Sequence, residues 1–186
     1  QLTLFGQDTV LSAGNVITLK ARLSDKNDIL LPSPAPDTIR WSLIEEVQTD
    51  STNSSGDLSD TLGSEIQFLP LRAYRTVKII AGFGELFDTV SIKINPGDPY
   101  RVVIESHADW KKSMHSPDEI DTVEIPDNST QATVYAIIRD SLGNFIDSLR
   151  EGVWGNTDTL VTIEGGTKIS IGKIQKNLGG NLWQLK

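Results

Sequence analysis

The chain of 186 residues carries 17 basic and 25 acidic side chains, and the resulting net charge of −8 is shared equally between 1–96 (8 basic, 12 acidic) and 97–186 (9 basic, 13 acidic). The basic side chains are not clustered, which argues against nucleic acid as a partner, because phosphate binding depends on clustered Lys and Arg. The absence of cysteine excludes disulfides, thiol catalysis and cysteine-ligated metal ions.

The N-terminal part of the chain has the alternating pattern of half-buried β-strands. Leu2, Leu4 and Val10 predict a first strand that is interrupted at Gly6, in the manner of a split edge strand. Residues 16–24 alternate with a period of two, which indicates a strand with one buried face and not a helix. The side chains expected to face inward are Ile17, Leu19, Ala21 and Leu23.

Further strands are predicted up to residue 94. Three prolines in residues 31–36 exclude a helix and a central strand there, and the polar, acidic residues 45–64 predict a long surface loop. A hairpin turn is expected at Gly82-Phe83-Gly84. The predicted strands and their inward side chains are 39–43 (Ile39, Trp41, Leu43), 65–71 (Ile66, Phe68), 76–81 (Val77, Ile79) and 86–94 (Val90, Ile92, Ile94). About seven short strands separated by turns are typical of an immunoglobulin-like sandwich.

The second half of the chain repeats the first. Each copy has an Asp, an alternating strand with an inward alanine, and a Trp, in the same order: Asp8, Ala21 and Trp41, then Asp121, Ala136 and Trp154. The inward positions expected in the second copy are Val102, Ile104, Ala132, Val134, Ala136 and Ile138. Repetition in a fixed order indicates two tandem units of one β architecture. The predicted fold class is therefore all-β, with two tandem immunoglobulin-like sandwiches.

A short segment with two prolines, Asn95-Pro96-Gly97-Asp98-Pro99, separates the copies. Because proline restricts the backbone, we expect the domains to be joined stiffly, end to end. The predicted boundaries are residues 1–96 for the first sandwich, 97–99 for the linker and 100–186 for the second sandwich.

The second copy is shorter than the first. Matching Gly63 to Gly166 places Lys186 near Ala81, so the counterpart of residues 86–94 is missing. A sandwich without its last strand has unpaired backbone groups at its edge. Truncation of a longer protein, disorder, or a strand supplied by another chain would each explain the gap. The abrupt start in strand-like sequence without Met also suggests a segment of a longer protein.

The repeated pattern resembles bacterial immunoglobulin-like domains of the invasin/intimin kind. The residues that carry the resemblance are the 95–99 linker leading into Tyr100-Arg101-Val102-Val103-Ile104, residues 132–140 followed by Gly143-Asn144, and the pair Trp41 and Trp154. The first copy departs from the turn pattern, with Lys26-Asn27-Asp28 in place of residues 141–144. The resemblance implies spacers, stalks and sometimes adhesive tips outside the cell, and it implies no catalytic residues.

The insertion from Ser106 to Glu119 is a candidate binding element, because the first copy has only Gly6 and Gln7 there. Trp110 lies in this polar segment and could stack on a sugar ring, although a loop Trp also commonly covers an edge of a sandwich. Trp41 and Trp154 are expected in the two cores. Trp183 follows Leu182 and is also expected to be buried.

Metal sites are weakly indicated. His107 and His115, with Asp109 and Asp118 nearby, lack the spacing of a zinc site, and solvated loop histidines are the favoured explanation. Calcium could be held by aspartates at strand ends and in the linker, where Asp is also the ordinary turn residue. Those aspartates are Asp25, Asp28, Asp98 and Asp140. We therefore expect no metal ion and no cofactor.

No catalytic motif is present, since there is neither a Gly-x-Ser-x-Gly elbow nor a phosphate-binding glycine loop. The leading hypothesis is a non-enzymatic spacer or stalk of an exported bacterial protein, with neighbouring domains of the same polypeptide as partners. The lack of cysteine and the turn-rich composition favour a secreted or cell-surface location. Without an apolar run of ~18 residues, no transmembrane span is predicted in this segment. The alternative is a carbohydrate-binding or adhesive module that uses Trp110 and contacts a glycan or another surface protein.

Overall fold

The computed structural model describes residues 1–5, 9–32, 39–45, 54–107, 117–120, 122–123, 131–148, 161–165, 171–176 and 183–184. The chain divides into two compact units, Gln1–Gly97 (unit 1) and Asp98–Lys186 (unit 2). Every regular element among the described residues is a β-strand, which confirms the all-β prediction.

Unit 1 consists of two four-stranded sheets. Its strands are β1 (Leu2–Phe5), β2 (Thr9–Ser12), β3 (Ile17–Leu23), β4 (Arg40–Glu45), β5 (Gly56–Leu58), β6 (Glu65–Pro70), β7 (Arg75–Phe83) and β8 (Leu86–Asn95). One sheet has the order β1-β3-β6-β5, and the other has the order β2-β8-β7-β4. This arrangement is that of an immunoglobulin-like sandwich.

The core of unit 1 lies between these sheets, where the period-two pattern predicted it. In β3, Leu19, Ala21 and Leu23 are buried and alternate with exposed residues. Every inward side chain expected in the strands β6, β7 and β8 is also buried. Trp41 on β4 is 3% exposed, and its indole Nε1 donates a hydrogen bond to the Gly63 carbonyl at 2.7 Å. This bond satisfies the ring's one polar group, so that the ring can pack in the core as predicted.

The split first strand is divided between the two sheets. Leu4 of β1 pairs with Ala21 of β3, whereas Leu11 of β2 pairs with Ile94 of β8. The backbone N–H of Leu4 donates to Asp88 Oδ2 at 2.7 Å. A carboxylate of the other sheet thus accepts a hydrogen bond from the edge strand β1. The N-terminal segment therefore bonds to both layers.

Two predicted loops differ from the structure. The hairpin turn between β7 and β8 is made by Gly84 and Glu85, with Phe83 opposite Leu86, because Gly84 has the positive φ of 60° that the turn requires. Residues 45–64 are not one long loop: β5 lies within this range and pairs with β6. A strand of three residues within a polar segment is too short to show the period-two pattern, so the sequence did not predict β5.

Gly56 allows β5 to approach the core closely. A Cβ atom at this position would lie 2.5 Å from Cε2 of the Phe68 ring and 2.7 Å from the Leu69 carbonyl oxygen. Phe68 is 0% exposed, and its ring is surrounded by other core residues. Glycine at position 56 is therefore a packing requirement.

Unit 2 contains a five-stranded sheet and a separate two-stranded pair. Its strands are β9 (Arg101–Glu105), β10 (Thr122–Val123), β11 (Gln131–Arg139), β12 (Phe145–Ser148), β13 (Val161–Gly165), β14 (Ile171–Lys176) and β15 (Trp183–Gln184). The larger sheet has the order β12-β11-β14-β13, with β9 also paired to β11. As in unit 1, the first strand of the unit pairs antiparallel with the long alternating strand.

The last strand described in unit 2, β15, pairs antiparallel with β10. In unit 1 the strand at the position of β10 is β2, which pairs with the final strand β8. The two pairs differ in direction, since β2 and β8 run parallel whereas β10 and β15 run antiparallel.

The turn after β3 is built on one carboxylate. Asp25 Oδ1 accepts the backbone N–H groups of Asn27 at 2.7 Å and Ile29 at 3.0 Å, and the Asp25 N–H donates to the Ile29 carbonyl at 2.9 Å. Asp28 adopts the left-handed conformation, with a φ of 61°. Aspartate tolerates this conformation better than most residues.

The turn after β11 makes the same bonds. Asp140 Oδ1 accepts the N–H groups of Leu142 at 2.9 Å and Asn144 at 2.8 Å, and the Asp140 N–H donates to the Asn144 carbonyl at 3.1 Å. Gly143, with a φ of 84°, stands where unit 1 has Asp28. The first copy therefore departs from this turn in sequence only, because both turns make the same hydrogen bonds.

The burial of unit 2 differs from the prediction on both faces of its sheet. Val134 and Ala136 are buried as expected, but Ile137 on the opposite face is 1% exposed. On β9, Val102 is 52% exposed while Val103 is 2% exposed, the reverse of the expected orientation. A second apolar cluster explains this difference. It contains Val103, Ile137 and Phe145, with Tyr135 packed against it.

We predict that Gly56→Ala lowers the free energy of unfolding by about 1–3 kcal/mol, because the added methyl group must displace either the Phe68 ring or the backbone. Gly82→Ala is the matched control, since a Cβ atom there meets its nearest neighbours at 3.9 Å. Urea unfolding of both variants measures the difference. Equal stabilities would contradict the packing requirement.

Candidate functional site at the base of the insertion

The two ends of the insertion meet at the end of β9. Glu105, the last residue of β9, forms a β-bridge with Glu119, and the Ile120 N–H donates to the Ile104 carbonyl at 2.9 Å. Ser106, His107 and residues 117–119 are described, whereas Trp110 and His115 lie outside the described residues. The insertion therefore leaves β9 and returns beside it.

Polar side chains connect these ends. Ser106 Oγ donates to Asp118 Oδ2, and His107 Nδ1 lies 2.9 Å from the same oxygen. Arg101 Nη1, on β9, lies 3.2 Å from Glu119 Oε2. We call this group the neck, defined by Arg101, Ser106, His107, Asp118 and Glu119. It joins both ends of the insertion to β9.

The neck changes the acidity of one carboxyl group. The hydrogen bond from Ser106, together with the charge of a protonated His107, lowers the pKa of Asp118. Because this pKa is depressed in the folded state, the contact stabilises the fold above the ordinary carboxyl pKa. That contribution is lost as the pH falls through the folded-state pKa.

Serine, histidine and aspartate are the residue types of a catalytic triad, but their arrangement in the neck is different. In a triad, one imidazole nitrogen bonds the carboxylate and the other bonds the serine. Here the hydroxyl of Ser106 and Nδ1 of His107 both approach the same oxygen of Asp118. His107 Nε2 is buried and has no hydrogen-bond partner in the described part of the chain. The neck therefore has the geometry of a structural contact.

A buried ion pair lies next to the neck and was not predicted. Arg139 Nε donates to Glu105 Oε1 at 2.5 Å, and Arg139 Nη1 donates to the Gly143 carbonyl at 2.6 Å. Both charged side chains are 0% exposed. Arg139 thus connects β11, the end of β9 and the Asp140 turn. The two residues lie on one face of the β9–β11 pair, four positions apart in a register that only the structure shows.

The other candidate residues are distributed as follows. Trp110, Trp154, His115 and Asp109 lie outside the described residues, and of Trp183 only its place in β15 is described. Asp25 and Asp140 bind backbone N–H groups of their own turns, and Asp98 is exposed. Where the structure describes side chains, no three of His, Asp or Glu are grouped so that they could hold a metal ion. Nor does that part of the chain contain a helix long and apolar enough to cross a membrane.

The solved structures that resemble this chain include surface layer and titin Ig domains of low sequence identity. No family model matches the sequence, and no curated protein matches it. Domains 5–6 of the surface layer protein SbsC match with a TM-score of 0.37 and 13% identity over 95% of this chain and 83% of theirs. Domains 4–9 of the same protein match with a TM-score of 0.37 and 12% identity, and this chain spans 27% of that structure. A tandem of titin Ig domains matches with a TM-score of 0.32 and 11% identity over 96% of this chain and 82% of theirs.

We predict that Glu105→Gln costs about 3–5 kcal/mol of unfolding free energy, because it leaves the Arg139 charge buried without its counter-ion. The double variant Glu105→Met/Arg139→Met should recover most of this loss, since buried pairs are often replaced by apolar residues at little cost. Chemical unfolding followed by circular dichroism measures both effects.

The exposed pair Lys20–Glu65, 2.9 Å apart with side chains 50% and 53% exposed, provides the control. Glu65→Gln should change stability by less than about 1 kcal/mol. A Glu105→Gln effect as small as that of Glu65→Gln would show that the buried pair does not contribute as described.

Proposed function

We propose that this chain is a non-enzymatic structural module, a spacer or stalk, of an exported bacterial cell-surface or secreted multidomain protein. The observation that supports this proposal is the repetition of one β building block. In both units, the first strand pairs with a long alternating strand that ends in the same aspartate-based turn. Sandwich domains of this architecture are common in cell-surface proteins.

The proposal extends to the organisation of the chain. Residues 1–96 and 100–186 would act as separate domains of the invasin/intimin kind, and residues 97–99 would act as the linker. Pro96 precedes this segment and Pro99 is its last residue, and both restrict the backbone. Neighbouring domains of the same polypeptide would be the partners, and the evenly distributed negative charge disfavours nucleic acid.

A spacer requires a restricted linker, and this requirement can be measured. Spin labels placed on Thr89→Cys and Thr133→Cys, both exposed and one in each unit, report the distribution of inter-unit distances. We expect Pro96→Gly/Pro99→Gly to broaden that distribution, because glycine allows many more backbone conformations than proline.

The control for this measurement is Asp98→Ala, which changes an exposed linker residue without removing a proline. It should leave the width of the distribution unchanged. An equally broad distribution with and without the prolines would contradict the spacer function.

Carbohydrate binding or adhesion through the insertion is the second candidate function. The neck favours it, because pinning both ends of a segment lowers the conformational entropy that its residues lose on binding. Asp118, at one end of the insertion, contacts both Ser106 and His107 at the other end, so its side chain holds the two ends together. Trp110 would supply the stacking surface for a sugar ring.

For this second function, we expect Trp110→Ala to abolish binding on a glycan array, and Asp118→Asn to weaken it by loosening the neck. Phe87→Ala is the matched control, because Phe87 is an aromatic residue of unit 1 that is 74% exposed. Absence of glycan binding by the unmodified protein, or equal losses in the Trp110 and Phe87 variants, would exclude a carbohydrate site at Trp110.

A further inference from the structure

The outer face of one sheet of unit 1 has a glycine between two exposed side chains. Arg40 on β4, Gly82 on β7 and Phe87 on β8 are direct partners across three neighbouring strands. Trp41 and Ala81, the adjacent residues on β4 and β7, are buried in the core. Because successive residues of a strand point to opposite faces, the row of Arg40, Gly82 and Phe87 lies on the solvent side of the sheet.

The fold does not require glycine at position 82. Glycine weakens a strand, and it often marks a bulge, a left-handed backbone or a close approach of another group. The pairing of β7 with β4 and with β8 is regular through Gly82, and this residue is not among those with a positive φ. A Cβ atom there would meet its nearest neighbours, the carbonyl oxygens of Arg40 and Leu86, at 3.9 Å. Unlike Gly56, Gly82 is thus explained neither by packing nor by backbone conformation.

The space above Gly82 is open. An aromatic residue opposite a strand glycine often covers it, but no side-chain atom of Arg40 or Phe87 lies within 4 Å of the position of a Gly82 Cβ atom. The Phe87 side chain is instead 74% exposed. Adjacent strands are about 4.8 Å apart, so β4 and β8 are separated by about 10 Å at this row. We call this gap the slot, defined by Arg40, Gly82 and Phe87.

The face that contains the slot is basic, although the chain as a whole has a net charge of −8. Its outward strand positions include the exposed residues Arg40, Lys78 and Lys93, and none of those that the structure describes is acidic. The two acidic residues of these strands, Glu45 and Asp88, alternate with the outward positions and accept backbone N–H groups. A face with this charge attracts an anionic partner.

We propose that the slot binds a carboxylated sugar, a uronate residue of an anionic polysaccharide. The guanidinium of Arg40 can hold a carboxylate through two parallel hydrogen bonds. The Phe87 ring offers an apolar surface for the C–H face of a pyranose ring. Because Gly82 has no side chain, one sugar ring can lie on the backbone between these two groups and contact both.

The next row of the same face suits the hydroxyl groups of a sugar. Ser42 on β4 and Thr89 on β8 flank Ile80 there, and both are exposed. Each of these hydroxyls can donate and accept a hydrogen bond. Lys78 lies one row beyond, where it would meet the carboxylate of the next sugar residue. An acidic peptide has no flat apolar surface to place on Phe87, so the face favours a polysaccharide.

The first experiment measures binding of the full chain to an array of uronate oligosaccharides. The probes are oligomers of galacturonate, glucuronate and mannuronate, and oligomers of the corresponding neutral sugars serve as the reference. We expect at least one uronate series to bind roughly tenfold or more tightly than its neutral counterpart, because hydrogen bonds to charged groups contribute that much. Absence of uronate binding, or equal binding of the neutral series, would overturn the proposal.

Substitution of Arg40 tests the contact with the carboxylate. Arg40→Gln should weaken uronate binding roughly 10- to 100-fold. Arg40→Lys keeps the charge but lacks the planar fork, so it should also weaken binding. The control is Arg22→Gln, the same change on the outer face of the other sheet, and it should have no effect. Equal affinities of Arg40→Lys and the unmodified protein would show unspecific attraction between charges and would overturn the slot.

Substitution of Gly82 tests the slot while both of its walls remain in place. Gly82→Val should abolish uronate binding, because its side chain occupies the space of the sugar ring. Valine is favoured in strands and its Cβ atom has room here, so urea unfolding should show no loss of stability. Gly82→Ala fills less of the slot and should weaken binding to a smaller extent. Full binding by a stable Gly82→Val variant would overturn the proposal.

The aromatic wall is tested against Trp110, which belongs to unit 2. Phe87→Ala should weaken uronate binding roughly 2- to 10-fold, and Phe87→Trp should retain it. Phe87 is therefore the reference aromatic for Trp110 only toward glycans without a carboxylate. Trp110→Ala should leave uronate binding unchanged. Loss of uronate binding in Trp110→Ala, with full binding in Phe87→Ala, would place the ligand at the insertion and overturn the slot.

Discussion

Burial of the alternating side chains of two sheets against each other is the constraint on which unit 1 depends. Leu19, Phe68, Val77 and Ile92 come from different strands, yet each is 0–2% exposed. At roughly 1.5–3 kcal/mol for each large apolar side chain buried, this set outweighs any single polar contact of the unit. The divided first strand supports this packing, because β1 bonds to one sheet and β2 to the other, which holds the two sheets together.

Much of this architecture could be predicted from the sequence, because a period of two is a direct consequence of one buried sheet face. The inward faces of β3, β6, β7 and β8 in unit 1 are examples. The prediction failed where that pattern is too short or is overridden. β5 has only three residues. Its Gly56 is required because a side chain there would collide with the Phe68 ring, so this position does not follow the apolar alternation. The predicted orientation of β9 was wrong because Glu105 is buried in an ion pair with Arg139, which only the folded chain brings near.

The same limit applies to the candidate site. The sequence set the insertion apart by comparing the two copies, and it identified Trp110 as the residue most suited to a ligand. It could not show that Ser106 and Asp118 meet, since their contact depends on the return of the chain beside β9. The aspartate turns show the opposite case. Asp28 and Gly143 look different in sequence but adopt one conformation, because either can take a positive φ.

The division of the first strand between the sheets can be tested by measuring nuclear Overhauser contacts between assigned backbone protons. The structure requires contacts between β1 and β3 around Leu4 and Ala21, and contacts of parallel type between β2 and β8 around Leu11 and Ile94. Both sets should be present in one folded species. Contacts that instead continue residues 9–12 along β3, with none to β8, would show a single undivided first strand and would contradict the sandwich described for unit 1.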